Sequence, residues 1–422
     1  AVVYQKELAS TPKASCNFGG IVGASTGLVS ECSFTGTFDM YVAAPTKSQL
    51  HTFAGVVGYI NGEADRVMVT GCSNSGTVKA GFNTGVMFSV GGVVGGTTAV
   101  EKATGNYGIV EKCENTGSVE MLYTAGGSGA YPVCGGVCGY IEGYIQNCIN
   151  RGAVSIECKS ASNTWTCAKQ GGVAGIVTAG ANDCHNYGTI STKGLFAGGT
   201  EGAKFSGNTN LCCWAGVIAA AGPWDTDNDA VFENCTNNAD QEYTANSITG
   251  TPQLSYGGVF GWLNGTAKKC VNNNKIVANV PCQYSNLGGI AAGGNAYIED
   301  CDNKGNLVVN DVATKVTGKW YTRIGGIIGW GAALASTDSK KPIPTAIDMT
   351  ITNCTNSGSI TVVGGDSSSP NISYIGGIYA TSVNPKNTGS VTATDCTNTG
   401  TITVPDGLNL QKGNISGDDN DL

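Results

Sequence analysis

A two-part unit that returns ten times constrains this chain more than any other feature of its sequence. The first half reads Gly-Gly-Val-Val-Gly from Gly91, and the second reads Cys-Glu-Asn-Thr-Gly-Ser-Val from Cys113. The glycine halves begin at Gly19, Ala54, Gly91, Gly135, Gly171, Ala215, Gly257, Gly288, Gly325 and Gly376. The cysteine halves begin at Cys32, Cys72, Cys113, Cys148, Cys184, Cys235, Cys270, Cys301, Cys354 and Cys396. The halves alternate strictly, so the repeat itself is the fold.

The spacing of the copies separates a bare unit from its insertions. Consecutive cysteine halves lie as little as 31 residues apart, from Cys270 to Cys301, and as much as 53, from Cys301 to Cys354. We take about thirty residues as the unit and the excess as loops at fixed joints, which is how solenoids carry insertions.

Each half has a physical interpretation. The glycine pair lets the backbone turn sharply and approach a neighbouring coil, and the apolar residues after it predict a short half-buried strand. In Cys-x-Asn-x-Gly, we expect the Cys to face the core, the Asn to hold a turn, and the Gly to take a positive φ. The Thr, Ser or Ala and Val or Ile that follow resume a strand.

Stacked copies place like residues over like, so each Asn can bond the Asn above and below it. The sequence therefore predicts an all-β, single-domain parallel β-solenoid, or β-helix, of about ten repeats, and parallel crossovers favour a right-handed coil. We expect an N-terminal strand or extension at 1–18, the ten-repeat solenoid at 19–404 and a C-terminal tail at 405–422. A set of independent β-sandwiches is the alternative.

Composition limits the partners and the compartment. The net charge of −8 argues against nucleic acid as a partner, because phosphate binding needs clustered Lys and Arg. The sequence has no run of about 18 apolar residues, so no membrane span is predicted. The chain begins at Ala1 without a Met or a leader, which favours a mature secreted protein at an extracellular or cell-surface location.

The repeat resembles a known class. Gly-Gly-Ile/Val-Val-Gly followed by Cys-x-Asn-x-Gly-x-Val/Ile is similar to the GLUG-type repeats of secreted and cell-surface adhesin-like proteins, over about residues 19 to 404. The resemblance implies a β-solenoid outside the cell. This chain differs from that pattern in carrying a Cys in every copy and in its long, irregular loops.

The eighteen cysteines divide into two groups. Ten occupy equivalent repeat positions, where we expect buried thiols, because side chains stacked in parallel register point the same way. The other eight lie mostly in or beside insertions, where disulfides would fit an oxidising compartment. Cys158 with Cys167 is the first candidate pair, and Cys212 or Cys213 with Cys282 is the second.

A few side chains are candidates for binding. Trp224 and Trp262 belong to a group of six Trp residues that either line a sugar-stacking groove, cover the core or contact a neighbouring subunit. The carboxylates of Asp225, Asp227 and Asp229 are candidates for binding a structural calcium ion. Asn264, Asn371 and Asn414 lie in Asn-x-Ser/Thr sequons and are candidates for glycosylation. No other cofactor and no catalytic residue is predicted.

Three functions remain open at this stage. The first is an extracellular structural protein that assembles head to tail with copies of itself, as a fibre or surface-layer subunit, because solenoid ends leave unpaired strand edges. The second is a surface adhesin that binds glycans or proteins through its loops. The third is a carbohydrate-active β-helix enzyme, which is disfavoured because few charged residues recur in register.

Overall fold

The structure is a computed structural model, and it describes residues 3–8, 15–42, 50–61, 67–82, 87–98, 108–124, 131–159, 168–197, 211–222, 230–249, 253–280, 285–311, 322–331, 348–365, 367–368, 372–381, 390–419 and 421. Within these ranges the regular structure is all β-strand, and the strands form four parallel sheets, named A to D in the order in which the chain meets them.

Sheets A and B each contain eleven described strands. Those of sheet A are Val3–Leu8, Thr37–Val42, Thr77–Phe82, Val119–Tyr123, Val154–Cys158, Ile190–Ala197, Gln241–Thr249, Ile276–Val280, Leu307–Asp311, Ile360–Val363 and Ile402–Thr403. Those of sheet B are Asn17–Gly19, Leu50–Ala54, Met87–Gly91, Tyr131–Gly135, Lys169–Gly171, Leu211–Ala215, Gln253–Gly257, Ser285–Gly288, Thr322–Gly325, Ser373–Gly376 and Leu410–Gly413.

Sheet C takes up to two strands from each coil, and sheet D takes one short strand. The strands of sheet C are Val22–Ser25, Val29–Ser30, Val57–Asn61, Val67–Thr70, Val94–Thr98, Gly108–Glu111, Cys138–Ile141, Gly143–Gln146, Ala174–Val177, Gly180–Asn182, Ile218–Ala221, Val231–Glu233, Phe260–Lys268, Ala291–Glu299, Ile328–Gly331, Met349–Thr352, Tyr379–Thr381 and Val391–Thr394. Those of sheet D are Ser33–Phe34, Ser73–Asn74, Glu114–Asn115, Ile149–Asn150, His185–Asn186, Thr236–Asn237, Val271–Asn272, Asp302–Asn303, Thr355–Asn356 and Thr397–Asn398.

Every repeat forms one coil of a parallel β-solenoid, which confirms the predicted fold class. Val78 of sheet A pairs with Phe38 of the coil before it and with Val119 of the coil after it. The equivalent pairing continues through the stack in all four sheets. Ten steps of about 4.8 Å give a column roughly 48 Å long.

Two hydrophobic cores run along the column. One fills the space between sheets A and B and contains stacked aromatic rings, such as Phe53 and Phe88, whose centroids lie 4.8 Å apart. The other is enclosed by sheet C and contains the repeat cysteines together with residues such as Val57 and Val94. A coil alone cannot bury either face, so the stacking itself creates both cores.

The glycine pair is required by close approach between coils, as expected. A Cβ on Gly92 would lie 2.2 Å from the carbonyl oxygen of Gly136 in the next coil and 2.5 Å from Oδ1 of Asn115 in its own coil. A Cβ on Gly91 would lie 2.0 Å from the carbonyl oxygen of Val94. No side chain fits at either position without moving the backbone.

The prediction of a positive φ at the Gly of Cys-x-Asn-x-Gly is wrong. In the described repeats the left-handed residue instead directly precedes each repeat cysteine, with φ between 50° and 62°. These residues are Glu31, Gly71, Lys112, Asn147, Asp183, Asn234, Lys269, Asp300, Asn353 and Asp395. The motif glycine is needed for a different reason, since a Cβ on Gly117 would lie 1.8 Å from the carbonyl oxygen of Gly76.

The segment predicted as a C-terminal tail continues the column. Leu410–Gly413 pairs in register with Ser373–Gly376, and Ser416 forms a further parallel bridge with Tyr379. At the other end, Val3–Leu8 is a strand, as expected for 1–18, and it pairs with Thr37–Val42. The described residues from 405 to 419 therefore add a partial eleventh coil.

Candidate assembly interface

A buried ladder of asparagines runs along the column beside the glycine corner. Asn150 is fully buried, and its Nδ2 donates to Oδ1 of Asn186 in the next coil at 2.8 Å and to the carbonyl oxygen of Gly152 at 2.9 Å. The same step recurs, with Nδ2 to Oδ1 distances of 2.7 to 3.0 Å, along Asn74, Asn115, Asn150, Asn186, Asn237, Asn272, Asn303, Asn356, Asn398 and Asn414. The expected stacking of Asn on Asn is confirmed.

The repeat cysteines form a second ladder of thiols inside the core of sheet C. Cys148 is buried, and its Sγ donates to the carbonyl oxygen of Gln146 at 3.3 Å. Burial raises the pKa of Cys72 to about 11 and that of Cys270 well above its ordinary value. The repeat cysteines are free thiols, as expected, and only Cys32 and Cys396 in the terminal coils are partly exposed.

The N-terminal end of the column exposes apolar residues that are buried in every inner coil compared. Ile21 is 46% exposed, whereas Val56 and Val93 at the same position of the next two coils are fully buried. Leu28 is 60% exposed. Phe18 and Phe34 lie partly buried against the end of the core between sheets A and B. The first coil therefore presents the cross-section of a core rather than a finished surface.

The C-terminal end presents the matching cross-sections. Ile402, Val404 and Leu408 are partly buried against the core between sheets A and B. Val391, Ala393, Cys396 and Ile415 are partly buried against the core of sheet C. Because Ile360, one coil inside Ile402, is fully buried, the loss of burial begins only in the terminal coil.

The glycine corner gives the two ends opposite hydrogen-bonding character. In the inner coils, the N–H of Gly92 donates to the carbonyl oxygen of Gly136, and the N–H of Val94 donates to that of Val137, so corner N–H groups point to the next coil. At this corner the first described coil therefore offers carbonyl oxygens, those of the pair Gly19 and Gly20 and that of Ile21. The last coil offers N–H groups.

At the C-terminal corner, aspartates accept these N–H groups. Asp421 Oδ1 accepts from the N–H of Asn414 at 2.9 Å, and Asp419 Oδ2 accepts from the N–H of Ser416 at 3.1 Å. Sequence reasoning missed both residues. The signal was present, because Gly-Asn-Ile-Ser-Gly from Gly413 is a degenerate copy of the glycine half with Asn in place of the second Gly.

The predicted binding residue Trp262 is buried, with 1% of its surface exposed. Its Nε1 donates to Oδ1 of Asn264 at 3.1 Å, and its ring packs edge-on to Trp330 at 6.1 Å between centroids. Trp262 therefore offers no open ring face for a sugar. Its burial agrees with the alternative interpretation, in which the Trp residues cover the core. Asn264 is 7% exposed, and its Oδ1 also accepts from the N–H of Asn295 at 3.4 Å, so a glycan has no room there.

The remaining candidates fall into two groups. Asn414 is exposed at its position in the last partial coil, and Cys158, Cys212 and Cys213 are buried on the strands of sheets A and B. Trp224, Asp225, Asp227, Asp229, Cys167, Cys282 and Asn371 lie outside the described residues. The calcium loop and both disulfide pairings therefore stay predictions.

Within the described ranges, no three side chains of His, Cys, Asp or Glu converge as a metal site. In the same part of the chain, no helix is long and apolar enough to cross a membrane. Comparison with known proteins gave no matching family model, no matching curated protein and no matching solved structure.

Proposed function

We propose that this chain is an extracellular structural protein whose columns join head to tail. The observation that carries the proposal is the complementarity of the two ends. Both cores reach the terminal coils and become partly exposed there. The glycine corner offers carbonyl oxygens at one end and N–H groups at the other, so a second copy can extend the sheets in the same parallel register.

The extracellular location rests on the sequence. The proposal takes the chain as a GLUG-like repeat protein of the secreted and cell-surface class. The long ladder of free, buried thiols is compatible with that location, because thiols that are buried and protonated react slowly with oxidants.

Particle mass and length test the proposal. We expect multi-angle light scattering to give a mass above the 42.9 kDa of one chain, rising with concentration, and negative-stain images to show rods in multiples of one column. The double variant Ile21→Lys with Leu28→Lys places charge on the exposed N-terminal cross-section and should return single columns. Val231→Lys is the matched control, because Val231 is 41% exposed and lies on the side of a middle coil, away from both ends. Single chains at every concentration would refute assembly.

The other two functions, adhesin and carbohydrate-active enzyme, stay as predictions. Among the residues on which the adhesin hypothesis depended, Trp262 is buried and Trp224 lies outside the described residues.

A further inference from the structure

We propose that residues 414–419 together with Asp421 form an edge cap that competes with a second copy of this chain for the C-terminal end of the column. This inference rests on the proposed head-to-tail assembly and adds its regulation. The cap consists of Asn414, Ser416, Asp418, Asp419 and Asp421, and it lies on the corner that the next column must occupy.

Two carboxylates take the place of the carbonyl oxygens of a following coil. In an inner coil, the second residue of the glycine pair donates its N–H to the next coil, as Gly377 does to the carbonyl oxygen of Gly413 at 3.1 Å. In the last coil Asn414 holds that position, and its N–H donates instead to Asp421. Two positions on, the N–H of Ser416 donates to Asp419. Three corner N–H groups of an inner coil bind the next coil, and in the last coil the carboxylates satisfy two of them, at the first and third positions, while the remaining group is that of Ile415.

The side chain of Asn414 ends the asparagine ladder. The second residue of the pair is Gly in all ten repeats, and a Cβ on Gly377 would lie 2.4 Å from Cγ of Asn398 in its own coil. In the partial eleventh coil the chain forms no described strand of sheet D, which leaves space for a side chain at this position. Asn414 Oδ1 enters that space and accepts from Nδ2 of Asn398 at 3.0 Å. The ladder therefore closes within the chain.

The cap is held in place by its own contacts. Asp418 Oδ1 accepts from the hydroxyl of Thr381 at 2.7 Å, and the N–H of Asp418 donates to Oγ of Ser416 at 3.0 Å. The N–H of Asp419 donates to the carbonyl oxygen of Ser416 at 3.1 Å. This short loop keeps the carboxylates beside the N–H groups at a high effective concentration.

A second copy must displace these carboxylates. The carbonyl oxygens of its first glycine pair and of Ile21 would need the N–H groups of Asn414 and Ser416, and hydrogen bonds to a carboxylate are stronger than those to a neutral carbonyl. At low protein concentration the tethered cap therefore occupies the C-terminal end of the column. At high concentration the apolar surface buried between two columns favours binding of the second copy.

Removing the carboxylates tests the cap. In the double variant Asp419→Ala with Asp421→Ala, we expect rods several-fold longer than those of the unmodified chain at the same concentration. Hydrogen exchange at the N–H groups of Asn414 and Ser416, measured at a concentration where the chain is single, should become faster in the variant. Asp406→Ala is the matched control, since Asp406 is an exposed carboxylate of the same terminal segment. Adding Ile21→Lys and Leu28→Lys to the cap variant should abolish the longer rods.

The outcomes separate this inference from the proposed function. If Asp419→Ala with Asp421→Ala leaves rod length unchanged while Ile21→Lys with Leu28→Lys shortens the rods, the cap is refuted and head-to-tail assembly stands. If exchange at Asn414 and Ser416 is unchanged, the cap is refuted as well. If the cap variant and the unmodified chain are both single at every concentration, both proposals fail. Should the alanine variant fold poorly, the variant Asp419→Asn with Asp421→Asn replaces each carboxylate by a neutral amide of the same shape. Its oxygen can still accept, but more weakly, so longer rods in this variant would support the cap and unchanged rods would count against it.

Discussion

Replacing Asn272 by Ala tests whether the asparagine ladder stabilises the column. Asn272 is fully buried, and its Nδ2 donates to the carbonyl oxygen of Asn274 at 2.9 Å and to Oδ1 of Asn303 at 2.8 Å. Its Oδ1 accepts from Nδ2 of Asn237 at 2.9 Å. Alanine removes all three bonds and takes a partner from the amides of Asn237 and Asn303, both of which are fully buried.

The expected loss follows from these contacts. A buried hydrogen bond contributes about 1 kcal/mol net, and a buried group left without its partner costs about 1–3 kcal/mol. Asn237 keeps its second bond, to the carbonyl oxygen of Ala239, so its loss is the smaller one. We expect the free energy of unfolding to fall by about 3–5 kcal/mol.

The neighbouring residue provides a matched control. Asn273 is exposed, and its Nδ2 donates to Oδ1 of Asn238 in the preceding coil at 2.8 Å, which is the same one-coil step made on the surface. Exposed pairs of this kind are worth little, so Asn273→Ala should change stability by less than about 0.5 kcal/mol.

Thermal unfolding measures the difference. At ~2.1 cal/mol/K per residue, unfolding of the 422 residues as one unit has an entropy near 0.9 kcal/mol/K, so Asn272→Ala should lower the Tm by roughly 3–6 °C. Because repeat proteins also open in segments, hydrogen exchange in the coils flanking Asn272 provides a local measurement. A Tm for Asn272→Ala within roughly 1 °C of that for Asn273→Ala would refute the reasoning.

Three further predictions follow from the structure. Gly136→Ala should abolish soluble folding or lower the Tm sharply, because its Cβ would lie 2.2 Å from the carbonyl oxygen of Gly172, whereas a Cβ on Gly27 has no atom within 4 Å; equal Tm values for Gly136→Ala and Gly27→Ala would contradict this. The free energy of unfolding should decrease as the pH rises above about 9, because unfolded thiols then ionise while burial holds the pKa of Cys72 at about 11 and that of Cys158 at about 12; a denaturation midpoint that stays constant between pH 8 and 10 would contradict it. Asn264 should stay unmodified when the chain is secreted from a glycosylating host, and a glycopeptide at that residue in mass spectrometry would show the prediction to be wrong.

The sequence was sufficient to predict the architecture, because all ten copies of the repeat have the same pattern of small, polar and apolar residues. Glycines occur where backbone meets backbone, as at Gly92, and an Asn recurs where its amide bonds the Asn of the next coil, as at Asn150. A periodic requirement of this kind has one simple solution, which is a column of identical coils. The fold class and the two ladders follow from it, whereas the strand pairing of the structure decides that each repeat makes one coil rather than two.

Only the tertiary structure showed which residue of each repeat adopts a positive φ and how the C-terminal edge of the column is formed. Sequence reasoning gave the positive φ to the motif Gly, whereas the coordinates place it on the residue before each repeat cysteine. Seven of those ten residues are Gly, Asn or Asp, the types that most readily adopt the left-handed region, so a signal was present in the sequence. Sequence reasoning also treated 405–422 as a tail, since one Asn and two Asp residues look ordinary until Asn414 and its partners are seen at an unpaired edge. Periodicity specifies the inner coils, where every neighbour is alike. The ends depend on groups that have lost a neighbour, and only coordinates show which groups those are.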